Sequence, residues 1–102
     1  MTKKKAAALD RARSFGVEVA YEEFTSMLNP KYRGHAFQWA GFVAWSGRRA
    51  EVSCWQAFSE AEWKSWKDEL KQAAREAAEA RAQAIVEKSG ILEWWQDNKE
   101  GT

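Results

Sequence analysis

The chain holds one histidine, His35, and one cysteine, Cys54, nineteen positions apart. A cysteine attacks as its thiolate and needs a base within hydrogen-bond reach. The neighbours of Cys54 are Val52, Ser53 and Trp55. They read as core, where cysteine packs as a small apolar side chain. Zinc takes four ligands, or three and a water, and no spacing of His, Cys and carboxylates here offers such a set. Carboxylates stand close together at Glu60/Glu62 and Asp68/Glu69, but on a solvated helix face that gives neither one a proton-transfer role. No phosphate-cradling loop, nucleophile elbow or dinucleotide fingerprint is present. The sequence therefore predicts no catalytic residue, no metal ligand and no cofactor, and the expectation is a protein that is not an enzyme.

The chemistry of recognition is richer. Seven of 102 residues are tryptophan. Tryptophan, tyrosine and arginine dominate the residues on which interfaces depend most. Adjacent side chains on a helix diverge by about 100°, so Trp94 and Trp95 do not both point inward easily; one of them is a candidate exposed anchor, and the alternative is that both wedge between helices. Trp94, Trp95, Arg48 and Arg49 are the candidate partner contacts. Lys31, Arg33, Arg48 and Arg49 also bracket the aromatic stretch 37–45. Cations interleaved with rings suit single-stranded nucleic acid, whose bases stack and whose phosphates track the cations. That alternative partner is weakened by a net charge of only +1, which argues against a strong polyanion binder. The charge is unevenly spread: residues 1–50 carry nine Lys/Arg against four Asp/Glu, or +5, and residues 51–102 carry seven against eleven, or −4.

The elements that position these residues are predicted to be helical. A chain this short has room for one domain and one modest core, and 1–102 is read as a single unit with 1–5 and 98–102 as flexible ends. A few buried rings, at roughly 150–250 Å² each, would build most of that core. Residues 3–15 read as a short helix ended by Gly16, and three lysines at its start oppose the helix dipole. Residues 17–28 read as a second helix, stopped by Asn29-Pro30. Residues 35–46 are apolar nearly all round and read as a buried helix with Ser46-Gly47 as its cap. The same stretch alternates at Phe37, Trp39, Val43 and Trp45, so a β-hairpin over 37–58 is the competing reading.

The clearest element follows Ser59. Ser59 and Glu62 have capping-box spacing, and thirty residues of strong helix formers lead to Gly90. Trp63, Trp66, Leu70, Ala73, Ala77, Ala80 and Ala84 recur at threes and fours, a heptad-like seam whose alanine half invites close approach of another helix. A homodimer through this alanine-rich helix is one expectation. Glu60 and Lys64, and Arg75 and Glu79, are spaced to pair across one turn. Residues 91–97 read as a short apolar plug. The fold class is thus all-α, a small helical bundle built on one long C-terminal helix at 59–89, with α+β as the alternative.

Two stretches resemble known families. YRGHAFQWAGFVAWSGRRAEV resembles a W-x-x-F/W-x-x-W-type helix of small accessory proteins of tailed phages and other mobile elements. That resemblance covers about a fifth of the chain. It implies an accessory role in which the chain binds a host protein or protein complex, including inhibition of a host defence system. FVAWSGRRAEVSCWQAFSEAEWKSWKDELKQAAREAAEARAQAI is similar in layout to the region of phage and plasmid primases that precedes the Toprim domain. No Toprim sequence follows here and the zinc-ribbon cysteines are missing, so primase activity is not expected to carry over. Residues 3–5 are followed by AAALDRAR, not by the apolar core of a secretory leader, and no apolar run approaches the roughly 20 residues of a membrane span. The expected compartment is the cytoplasm, the host's if the chain is phage-encoded, and no membrane partner is expected.

Overall fold

The computed structural model of the protein describes residues 2–27 and 41–89. Three helices account for nearly all of them: α1, Lys3–Met27; α2, Phe42–Ser53; and α3, Glu60–Ser89. A 3-10 turn, Cys54–Ala57, joins α2 to α3. The fold is all-α and is built on the long α3, as the capping and propensity signals indicated. Over the described part of the hairpin alternative, residues 41–58, no strand is present.

α1 and α3 run in the same direction. Lys5 pairs with Glu69, Gly16 sits against Ala74 and Ala78, and Arg81 reaches Tyr21. α2 runs back between them. Its Phe42 ring lies 6.4 Å from that of Phe24, while Arg49, farther along, grips Glu22 and Glu23. On the other side, Gly47 meets Glu79 and Glu51 pairs with Arg75. The topology over the described residues is up, down, up.

Small residues explain this packing. The buried positions of α1 include Ala8, Ala12, Gly16 and Ala20, each four residues after the last. Those of α3 include Leu70, Ala74, Ala78, Ala82 and Val86, with the same spacing. Rows of every fourth residue form the ridges that interlock between crossing helices. A stripe of this kind drifts about 40° around the helix at each step, whereas a heptad seam keeps one face. The predicted heptad seam therefore fails after Leu70 and Ala73. Ala77 and Ala84 are half-buried and Ala80 is exposed.

Gly16 is the other correction. It does not stop a helix. α1 passes through it without a break, because a Cβ there would strike the backbone carbonyl oxygen of Ala74 and come within 3.0 Å of the Ala78 nitrogen. Residues 3–5, read as a frayed arm, form the first turn of α1. Thr2 caps it by accepting a bond from the Lys5 backbone N–H at 3.2 Å. Gly47 likewise lies inside α2 and does not end it.

The described core has two clusters, both made mostly of small aliphatic side chains. One holds Ala8, Leu9, Ala12, Val19, Ala50, Cys54, Leu70, Ala73, Ala74 and Ala78. The other holds Ala20, Phe42, Ala82 and Val86. Phe42 is the one aromatic ring fully buried among the described residues, so the described part of the core is built mainly from aliphatic side chains and not, as the composition suggested, from rings. Helices brought together by alanine and glycine leave little depth for an indole.

Candidate interaction face

Four of the seven tryptophans fall in the described residues, and none is fully buried. Trp63 and Trp66 lie half-buried at the edge of the first cluster. Trp66 has φ −133° and ψ 18°, a kink that sets the first six residues of α3 apart from its long shaft. Trp45 and Trp55 are 54% and 55% exposed, and Val52 between them is 60% exposed.

These residues form a stripe because α2 turns its small side chains inward. Phe42, Ser46, Gly47 and Ala50 take the buried face. Trp45, Arg48 and Val52 take the opposite one, and exposed Trp55, in the 3-10 turn that follows, continues the row at a spacing of three, four and three. The result is an apolar face with two large rings at its ends and one cation in its middle. Arg48 is exposed and has no ion-pair partner among the described residues. Arg49 behaves differently. Its Nη2 donates to Glu22 at 2.5 Å and its Nη1 to Glu23 at 2.8 Å. Partial burial works against its charge, but the two carboxylates outweigh that and raise its pKa. Arg49 clamps α2 to α1.

At its C-terminal end the stripe runs into a cleft. Trp55, Phe58, Ser59, Glu60 and Trp63 line a space of about 340 Å³. The Phe58 and Trp63 rings are 18° from parallel, with centroids 6.4 Å apart. The capping box predicted from Ser59 and Glu62 holds this corner. The Ser59 N–H donates to Glu62 Oε1 at 2.9 Å, and the Glu62 N–H donates to Ser59 Oγ at 3.2 Å. The Glu62 carboxylate also receives Arg11 from α1 at 3.0 Å. Arg11 donates in addition to the Ala57 carbonyl at 3.2 Å and lies 5.3 Å over the Phe58 ring. Donation from Arg11 and from the Ser59 backbone lowers the Glu62 pKa from 4.5 to about 2.

Part of the opposite charge of the two halves meets within the chain, where Lys5 pairs with Glu69 and Arg11 with Glu62. Glu51 and Arg75, both from the second half, pair between α2 and α3. The two pairs predicted along α3 also form, Lys64 with Glu60 at 3.5 Å and Arg75 with Glu79 at 2.9 Å. The buried alanines of α3 face α1 and α2, within the chain. Lys31, Arg33, His35, Trp94 and Trp95 lie outside the described residues. Cys54 is fully buried, burial raises its thiol pKa, and its Sγ lies 3.6 Å from the Glu51 carbonyl. Among the described residues no three His, Cys, Asp or Glu side chains converge on a metal position, and no helix is long and apolar enough to cross a membrane.

Sequence reasoning placed Arg48 among the candidate contacts but missed Trp45, Val52 and Trp55. The signal was present as a three-four-three spacing. Reading the helix as ending at Ser46-Gly47 hid it, because Arg48, Val52 and the turn that carries Trp55 then had no helical register with Trp45. No family model matches the chain, and neither a curated protein nor a solved structure matches it.

Proposed function

We propose that the chain is a non-enzymatic binding protein, an accessory factor of a phage or mobile element, that docks onto a host protein or protein complex through the outer face of α2. A host defence complex is the partner class that the resemblance of residues 32–52 implies. The observation that carries the reading is the pair of half-exposed indoles, Trp45 and Trp55, flanking Arg48 and the exposed Val52. Aromatic rings and arginine at the centre of a patch are the usual anchors of protein interfaces. At roughly 200–250 Å² per indole, about half still open, the two rings leave about 200 Å² to cover. At about 25 cal/mol per Å² that contributes about 5 kcal/mol. Association itself costs about 4–15 kcal/mol, so these residues form the centre of a wider contact.

The test is capture of the partner on immobilised chain. Trp45→Ala and Trp55→Ala are compared with wild type at matched helicity and melting temperature. Loss of the captured protein in both variants supports the reading. Retention in both, or salt-sensitive binding to single-stranded nucleic acid that needs the same residues, overturns it.

One observation favours a second reading, a structural homo-oligomer. The stripe has the same spacing read from either end, so a second copy of α2 and the turn after it, laid antiparallel, opposes Trp45 to Trp55 and Arg48 to Val52. Sedimentation that depends on concentration and becomes monomeric in Trp45→Ala supports it. A monomer at every concentration excludes it.

A further inference from the structure

The cleft at the end of the stripe has a chemistry that the stripe lacks. Three aromatic residues, Trp55, Phe58 and Trp63, line it together with Glu60 and Ser59. Ring faces attract cations through their quadrupole, and a carboxylate beside them adds full charge. We propose that this cleft takes an arginine side chain of the partner protein, with the guanidinium against the rings and hydrogen-bonded to Glu60. The inference rests on the proposed function for the existence of a partner, and Trp55 belongs to both surfaces.

Three features of the site point to arginine. Arginine's planar guanidinium stacks on ring faces and offers paired donors to a carboxylate, which a lysine ammonium does not. The chain already makes this kind of contact, with Arg11 lying 5.3 Å over the Phe58 ring while bonded to Glu62. Arg11 is therefore neutralised by Glu62 and leaves Glu60 as the carboxylate available to an incoming cation. The present partner of Glu60 is Lys64, at 3.5 Å, with side chains 85% and 77% exposed respectively. An exposed pair of this kind is held weakly, so a guanidinium that also gains ring contact displaces it. The volume, about 340 Å³, lies at the lower end of the range of small-ligand pockets.

The experiment titrates the intact chain with N-acetyl-arginine amide and with N-acetyl-citrulline amide, its neutral isostere, at equal ionic strength. The indole N–H resonances of Trp55 and Trp63 report binding. Cation–ring contact on two open rings predicts that the arginine compound binds about fivefold tighter or more. Glu60→Gln and Trp55→Leu, both at exposed positions, are expected to cut that preference to less than about twofold. Equal affinity for the two compounds overturns the inference, as does an arginine titration that moves neither indole. Partner capture that depends on Trp45 while the cleft ignores charge overturns this inference alone. A preference for arginine in a chain that captures no partner overturns the proposed function and leaves the cleft standing.

Discussion

Gly16 and Gly47 are both glycines inside helices, and the same substitution is expected to move stability in opposite directions at the two sites. Glycine to alanine within a helix ordinarily gains about 1 kcal/mol. At Gly16 the added methyl meets the carbonyl oxygen of Ala74 and the amide nitrogen of Ala78. Both are backbone atoms of a continuous helix and cannot rotate away. α1 and α3 must separate along the whole row of small residues, and overpacking of that kind costs about 1–3 kcal/mol, occasionally more. The cost acts over several contacts at once, so the upper end applies and the net loss is about 2 kcal/mol. For a domain of this size each kcal/mol shifts the melting temperature by about 4–8 °C, which predicts a fall of about 10–15 °C. At Gly47 the methyl meets the Glu79 carboxylate, with Cγ and Oε1 at 2.5 Å. That is the mobile end of a side chain which is 36% exposed. It swings aside at the cost of a surface ion pair with Arg75, about 0.3–0.5 kcal/mol. Gly47→Ala is therefore expected to hold or raise the melting temperature by a few degrees. Thermal melts followed by circular dichroism on the two variants decide the matter. A Gly16→Ala variant as stable as wild type refutes the close α1–α3 packing, and with it the explanation for the displaced indoles.

Three further outcomes are expected. Ser46 Oγ is buried and finds no hydrogen-bond partner among the described residues; Ser46→Ala should stabilise the fold by about 1 kcal/mol, since it removes an unsatisfied hydroxyl, and a loss measured by urea titration would reveal a bond to that oxygen. Glu62 titrates near 2 when folded against an ordinary 4.5, chiefly through Arg11. Its stabilising effect is complete above its ordinary pKa and fades as the pH falls from about 5 toward 2. Melting temperatures of wild type and Glu62→Gln should therefore differ at pH 7 and converge near pH 2, and parallel curves would dismiss the Arg11–Glu62 pair as a contributor. Cys54 is buried with a raised pKa, so thiol labelling at pH 7 should be slow in the native chain and fast in denaturant; fast native labelling would restore it as a candidate nucleophile.

What could be read in advance depended on how local the signal was. The start of α3 was legible to the residue, because Ser59 and Glu62 satisfy each other's backbone within a single turn. So were the pairs Glu60–Lys64 and Arg75–Glu79, which need only helical spacing. Gly16 and Gly47 misled because a glycine has two uses. It ends helices by adopting conformations other residues avoid, and it lets backbones approach. Only the facing helix distinguishes these, and the row of alanines on α3 from Ala74 to Ala82 was the clue. Those alanines were assigned to a heptad because threes and fours cannot be told from fours alone over a short run containing Ala73, Ala74, Ala77 and Ala78. Arg49 looked as available as Arg48. Its capture by Glu22 and Glu23 depends on a contact across 26 residues of chain.

The packing of α1 on α3 bears on function through volume. An indole needs depth between helices, and helices whose facing side chains are alanine and glycine provide almost none. Trp63 and Trp66 therefore rest at the rim of the core, and Trp45 and Trp55 stand outside it. Exposed rings carry a cost, since they invite aggregation, and alanine or glutamate at Trp45 would serve α2 as well or better as a helix former. The buried face of α2 already satisfies the bundle through Phe42, Gly47 and Ala50. Neither helix propensity nor the core thus accounts for an indole at either end of the outer face. A surface that contacts something outside the described bundle accounts for both, and for the cation between them that has no partner among the described residues.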